Sequence, residues 1–267
     1  MDTLEQLFTL EKQTPNDDKL LSKIAFAYLT TPFIKSDELT YFKKAYKVNP
    51  NIKNTHNYAF WLYDEYGDYQ LAGQLFDELF KKPIKSHYPY MAYAQFLFGG
   101  GRSSKNFYRL KDNAPILIQT YHHAICQFQK LDNHYQNNHQ NEWLFMHANL
   151  ANVYMVADDF KSAKLYYQRS LELLKQCHGN HISQAELDEW GYFIYYNLLI
   201  CSKLENNKIE CDSILNKLTE FESFYKGDIY ALKRKSNNNL KRLLRYFYKC
   251  YLFGCESCGN LIDDEMC

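Results

Sequence analysis

The sequence predicts an all-α chain, a right-handed solenoid of about six stacked antiparallel helix pairs. Three observations predict it. Hydrophobic residues recur with helical period almost from end to end. Only 6 Pro and 10 Gly stand among 267 residues, too few to punctuate a β-sandwich or barrel of this length. A spaced pattern also occurs twice: Tyr63, Gly67, Asp68, Tyr69, Ala72 and Phe76 return as Tyr154, Asp158, Asp159, Phe160, Ala163 and Tyr167. This spacing fits two helices joined by a tight turn, with the alanine where they touch.

The elements follow in order. Helical periodicity predicts helices near 3–12, 17–30, 36–48, 54–66, 69–82 and 87–98, then 113–131, 142–157, 160–176, 183–204, 208–225 and 228–252. Asn49-Pro50-Asn51 and Lys82-Pro83 end helices, and Gly179 follows the helix that stops at Cys177. Gly99-Gly100-Gly101 opens a longer connection over 99–112. The polar stretch 132–141 reads as a second loop. Residues 1–252 thus form the repeat domain and 253–267 a cysteine-rich tail.

Composition bounds the role. Hydrophobic residues make up 46%, enough for a sizeable core, and 24 Tyr with 18 Phe supply bulky packing groups. The 31 basic residues balance 31 acidic ones, so no global field favours nucleic acid or an anionic membrane. The first residues carry no basic and apolar leader, and no apolar run is long enough to span a bilayer. The eight cysteines therefore read as reduced thiols of a cytoplasmic protein.

The two copies resemble the tetratricopeptide repeat, a helix-turn-helix unit. One copy runs Leu150-Ala151, Tyr154, Asp159-Phe160, Ala163, Tyr167 and Ser170-Leu171; the other runs Tyr63, Gly67-Asp68-Tyr69, Ala72, Phe76 and Leu79-Phe80, closed by Pro83. A weaker trace lies at Ala25, Tyr28, Phe42, Ala45 and Pro50. The pair over 183–225 has the helices without the small contact residue. Two departures stand out: Asp158 occupies the position of Gly67, and His56 and His147 stand where the family has a tryptophan. The resemblance implies a binding protein whose first helices line a groove. Carried over residue by residue, it places Asn57, Tyr58, Trp61 and Asp64 on that groove in one unit, and Asn149, Asn152 and Met155 in the other. Amides there suit a peptide backbone or a terminal carboxylate.

The helix over 228–252 is polarised. Arg234, Lys235, Lys241, Arg242, Arg245 and Lys249 fall on one side, opposite Leu240, Leu243, Leu244, Phe247 and Tyr251. The stripe reads either as the solvated face of a capping helix or as a contact surface for an acidic protein, RNA or anionic headgroups. In the tail, Cys255-x-x-Cys258-Gly resembles one knuckle of a zinc ribbon, with Cys250 and Cys267 completing four thiolates at unusual spacing. The alternative is four unliganded thiols.

No catalytic constellation emerges. Gly99 to Lys105 lacks the ending of a phosphate loop and follows a helix rather than a strand. His122, His123, His134, His139 and His147 have no metalloprotease spacing. The expectation is a non-enzymatic cytoplasmic protein, without cofactor unless Zn²⁺ binds the tail. It would bind another protein or peptide as adaptor, inhibitor or regulator, a toxin-neutralising immunity protein included. The alternative is nucleic-acid binding through the basic helix and a Zn-stabilised tail.

Overall fold

The computed structural model describes residues 3–30, 37–64, 66–98, 110–177, 182–221, 232 and 240–247. The described residues are helical with no strand. They fall into two compact units, divided between Phe96 and Leu97.

The first unit holds α1 (Leu4–Gln13), α2 (Asp18–Thr30), α3 (Glu38–Val48), α4 (Ile52–Asp64) and α5 (Tyr69–Leu79), with α6 (Tyr88–Phe98) beginning in it. Each helix from α1 to α5 packs on its neighbour in chain order, as stacked helix pairs require. Thr3 and Gln6 form a reciprocal capping box that starts α1. The core is aromatic: Phe76 is fully buried with its ring 6.1 Å from Tyr63, 5.4 Å from Tyr93 and 5.2 Å from Phe96. Burying one such ring is worth about 1.5–3 kcal/mol.

The second unit holds α7 (Ala114–Phe128), α8 (Asn133–Asn138), α9 (Gln140–Val156), α10 (Phe160–Gln176), α11 (Gln184–Leu204) and α12 (Lys208–Leu218). Here α7 packs on α9, and α9 to α12 pack in succession. A capping box of Ser183 and Glu186 starts α11. The polar stretch expected to be a loop contains α8. Asp132 caps it by accepting from the Tyr135 amide, and Tyr135 stacks on His139 with centroids 3.9 Å apart. Aromatic side chains hold a polar sequence in place.

One turn recurs three times. Gly67, Asp158 and Asn206 all adopt left-handed backbone, at φ 68°, 64° and 58°. The next residues, Asp68, Asp159 and Asn207, cap the following helices by accepting from the amides of Leu71, Ser162 and Glu210. The amides of Asp159 and Asn207 also bond back to the carbonyls of Tyr154 and Ser202, at 3.0 and 2.9 Å, closing the preceding helices. Asp158 thus does the work of Gly67, because Asp and Asn tolerate this conformation better than other side chains. Asn206 marks a third copy. At the position of the fully buried Ala72 and Ala163 that copy carries Cys211, which is half-buried.

The C-terminal segment departs from expectation. Residues 240–247 are not part of a continuous helix: a 3₁₀ turn spans Lys241–Leu243, and the chain then leaves helical conformation, with Leu244 at φ −52° and ψ 138°. Leu240, Leu244 and Phe247 are all buried. Their spacing satisfies a helical face, and equally a strap pressed against other helices.

Candidate peptide-binding groove

In extended backbone the N–H and C=O of one residue point to the same side, and alternate residues share that side. A groove that recognises such a chain needs paired donors and acceptors at that spacing. An asparagine amide is the smallest side chain that supplies both.

The second unit builds this arrangement on α9 and α11, the first helices of two successive pairs. Asn149 on α9 donates to the Phe247 carbonyl at 2.8 Å and accepts from the Phe247 amide at 3.0 Å. Asn197 on α11 accepts from the Arg245 amide and donates to the Arg245 carbonyl, both at 2.8 Å. Asn152, one turn beyond Asn149, donates to the same carbonyl at 2.8 Å. Its oxygen accepts from Asn197 at 2.9 Å and from the Tyr167 hydroxyl at 2.5 Å. Asn152 and Asn197 are fully buried and Asn149 nearly so. All four backbone groups of Arg245 and Phe247 are therefore satisfied by amides from two helices.

The side chains of the strap fill flanking pockets. The Phe247 ring lies 5.3 Å from Phe145, nearly parallel, and 5.9 Å from Phe193. Trp190 meets the far face of that aromatic set, edge-on to Phe145 at 4.7 Å. The Arg245 guanidinium lies over Tyr196 at 5.5 Å and Phe193 at 5.9 Å, a cation on two ring faces. Tyr246 points elsewhere, with its ring 5.4 Å from Phe98. Lys241 pairs with Asp158 and lies over the Phe160 ring.

Tyr167 explains why the floor is polar here. It is the counterpart of Phe76, is fully buried, and its hydroxyl requires a partner. Burial first, then the charges of Cys201 and Tyr246, raises its pKa well above the phenol range, so it stays a donor to Asn152. In the first unit the same pair of positions holds Phe76 and Trp61, without an acceptor on either side chain.

The positions carried over from the repeat resemblance separate accordingly. Asn149 and Asn152 hold the strap. Met155 is fully buried and lines the core instead. In the first unit Tyr58 and Trp61 are buried, Tyr58 against Tyr46 at 5.6 Å and Trp61 beside Phe42 at 6.3 Å. Asn57 is fully buried, and neither end of its amide has a hydrogen-bond partner among the described residues. Asp64 is exposed at the end of α4. Asn57, Tyr58 and Trp61 are thus packed within the first unit. Asn197, absent from the sequence-based set, completes the clamp; its position in the third copy was the missing signal.

The basic stripe does not form within the described residues. Lys241 and Arg245 are committed to Asp158 and to aromatic faces, while Arg242 is exposed. Arg234, Lys235 and Lys249 lie outside the described residues, as do Cys250, Cys255, Cys258 and Cys267. Among the described residues, no cluster of His, Cys, Asp or Glu is arranged to hold a metal ion. No described helix is long and apolar enough to cross a membrane.

No protein-family model matches this chain, and no curated protein does. Among solved structures it is similar to one described as human IFIT1 dimer with PPP-AAAA, at 15% identity and a TM-score of 0.35. That match covers 86% of this chain and 60% of the other, so the chain spans less than two thirds of its length. A TM-score this low carries no argument about fold or ligand.

Proposed function

We propose that this chain is a tetratricopeptide-like repeat protein that binds an extended segment of another protein. It would act as an adaptor, inhibitor or regulator, with no catalytic step and no cofactor. The observation that supports this is the amide floor of Asn149, Asn152 and Asn197, which satisfies the N–H and C=O of alternate residues in an extended chain. Main-chain bonds of this kind give affinity, and the aromatic pocket of Phe145 and Phe193 gives selectivity.

Tagged protein recovered from its native cells, before and after nuclease treatment, tests the reading. The expected result is a stoichiometric protein partner that survives nuclease. It should be lost from a folded variant carrying Asn149→Ala and Asn197→Ala. Equal retention by that variant would remove the groove as the binding site. Nucleic acid in place of protein would overturn the reading altogether.

A further inference from the structure

We infer that the strap 240–247 is a built-in competitor: it occupies the groove as a partner peptide would, and ligand binding proceeds by exchange with it. The inference rests on the proposed peptide-binding role and adds a ligand pattern and a regulatory state.

Three observations carry it. First, the strap has little structure of its own. Its 3₁₀ turn is closed by a long bond, from the Leu244 amide to the Lys241 carbonyl at 3.4 Å, and residues 244–247 have no regular structure. The backbone of Arg245 and Phe247 depends on side chains far away in sequence. Any L-peptide presents the same N–H and C=O groups, so the floor does not distinguish this segment from another. Second, the strap's backbone rests on a polar floor beside apolar surface that buries Leu244 and Phe247. Three asparagines lie under residues 245 and 247, and the Asn152 oxygen also accepts from Tyr167 and Asn197. Amides uncovered by departure of the strap are solvated readily. Third, the side chains that flank the amide floor are of three distinct kinds: an aliphatic residue at 244, a cation over Tyr196 and Phe193 at 245, and an aromatic ring against Phe145 and Phe193 at 247.

The ligand class follows directly. It is an extended peptide with an aliphatic residue, then a cationic one, then an aromatic one two positions further on. A tethered occupant acts at an effective concentration on the order of millimolar, so it weakens every competing ligand by the fraction of time it keeps the groove filled.

The probe is a labelled synthetic peptide with the sequence of residues 240–247, added to the full-length chain. Binding is measured by fluorescence anisotropy for the parent and for two strap variants, Phe247→Asp and Leu244→Asp, with circular dichroism verifying the fold. The strap-released proteins are expected to bind at least about tenfold more tightly than the parent. Adding Asn149→Ala and Asn197→Ala should abolish that binding. Equal affinity for parent and released proteins would overturn self-occupancy while leaving the groove intact. No binding by a folded released protein would overturn the groove reading as well.

Hydrogen exchange on the unaltered chain is the second arm, independent of whether the variants fold. The amides of Arg245 and Phe247 are expected to exchange through openings that leave Leu150 and Ala151 on α9 protected. Exchange of all four together would make the strap part of the cooperative core and refute the inference.

Discussion

Acid should weaken each unit of this protein through its buried histidines, and replacing His56 isolates the effect in the first. His56 is fully buried and neither ring nitrogen has a hydrogen-bond partner among the described residues. Burial pushes its pKa down from 6.5 to about 3. His147 is also buried; burial outweighs its bond to the Trp143 carbonyl, and its pKa falls to about 4. Both folded values lie below the unfolded one, so the unfolded chain takes up a proton that the folded chain refuses. The stability these groups confer is complete above pH 6.5 and is lost as pH falls below it, until the folded pKa is reached. From pH 7 to pH 5 the loss is about 2 kcal/mol per histidine, since each pH unit below 6.5 costs about 1.4 kcal/mol. His56→Leu should abolish that loss in the first unit. Urea unfolding followed by circular dichroism, at pH 7 and pH 5, measures it. Nuclear magnetic resonance of the His56 ring should show no titration between those pH values. If His56→Leu lost as much stability as the parent over this range, or if the His56 resonance titrated there, the burial argument would fail.

Two further outcomes follow from the turn and the paired positions. Asn206→Gly should leave thermal stability unchanged or slightly raised, whereas Asn206→Val should cost about 1–2 kcal/mol, because a β-branched residue resists φ near 58°. Tyr167→Phe should cost only about 1 kcal/mol, since the Asn152 oxygen keeps its bond from Asn197. The reverse exchange, Phe76→Tyr, should cost about 1–3 kcal/mol, since Trp61 offers its buried hydroxyl no acceptor. Equal costs for the two substitutions would show that the difference between the units is not the polar partner.

The helix pairs were legible in the sequence because Tyr63, Ala72 and Phe76 and their counterparts report packing that is local in the chain. The third copy was hidden because its signature is conformational: Asn206-Asn207 gives a left-handed residue followed by a cap, with neither glycine nor alanine to mark it. The sequence predicts helix for the strap because Leu240, Leu244 and Phe247 carry the period of both structures. What decides between them sits elsewhere, in asparagines on α9 and α11. Asn57, Tyr58, Trp61 and Met155 come from the same repeat pattern and are buried. A repeat position fixes a residue's place on its helix, whereas what covers that face depends on residues far away in the chain.

The recurring turn also sets how such a chain tolerates change in length. Within a pair, the left-handed residue and its capping neighbour fix the number of residues between the two helices. One inserted residue would rotate the second helix by about 100° and carry its small contact residue away from the first. Between pairs the chain is not held to that turn: from Ala163 to Cys211 is 48 residues, and the 91 residues from Ala72 to Ala163 also contain α6, α7 and α8. The ruler that recurs in this chain is thus only a few residues long and lies within each pair, where α4 meets α5, α9 meets α10 and α11 meets α12.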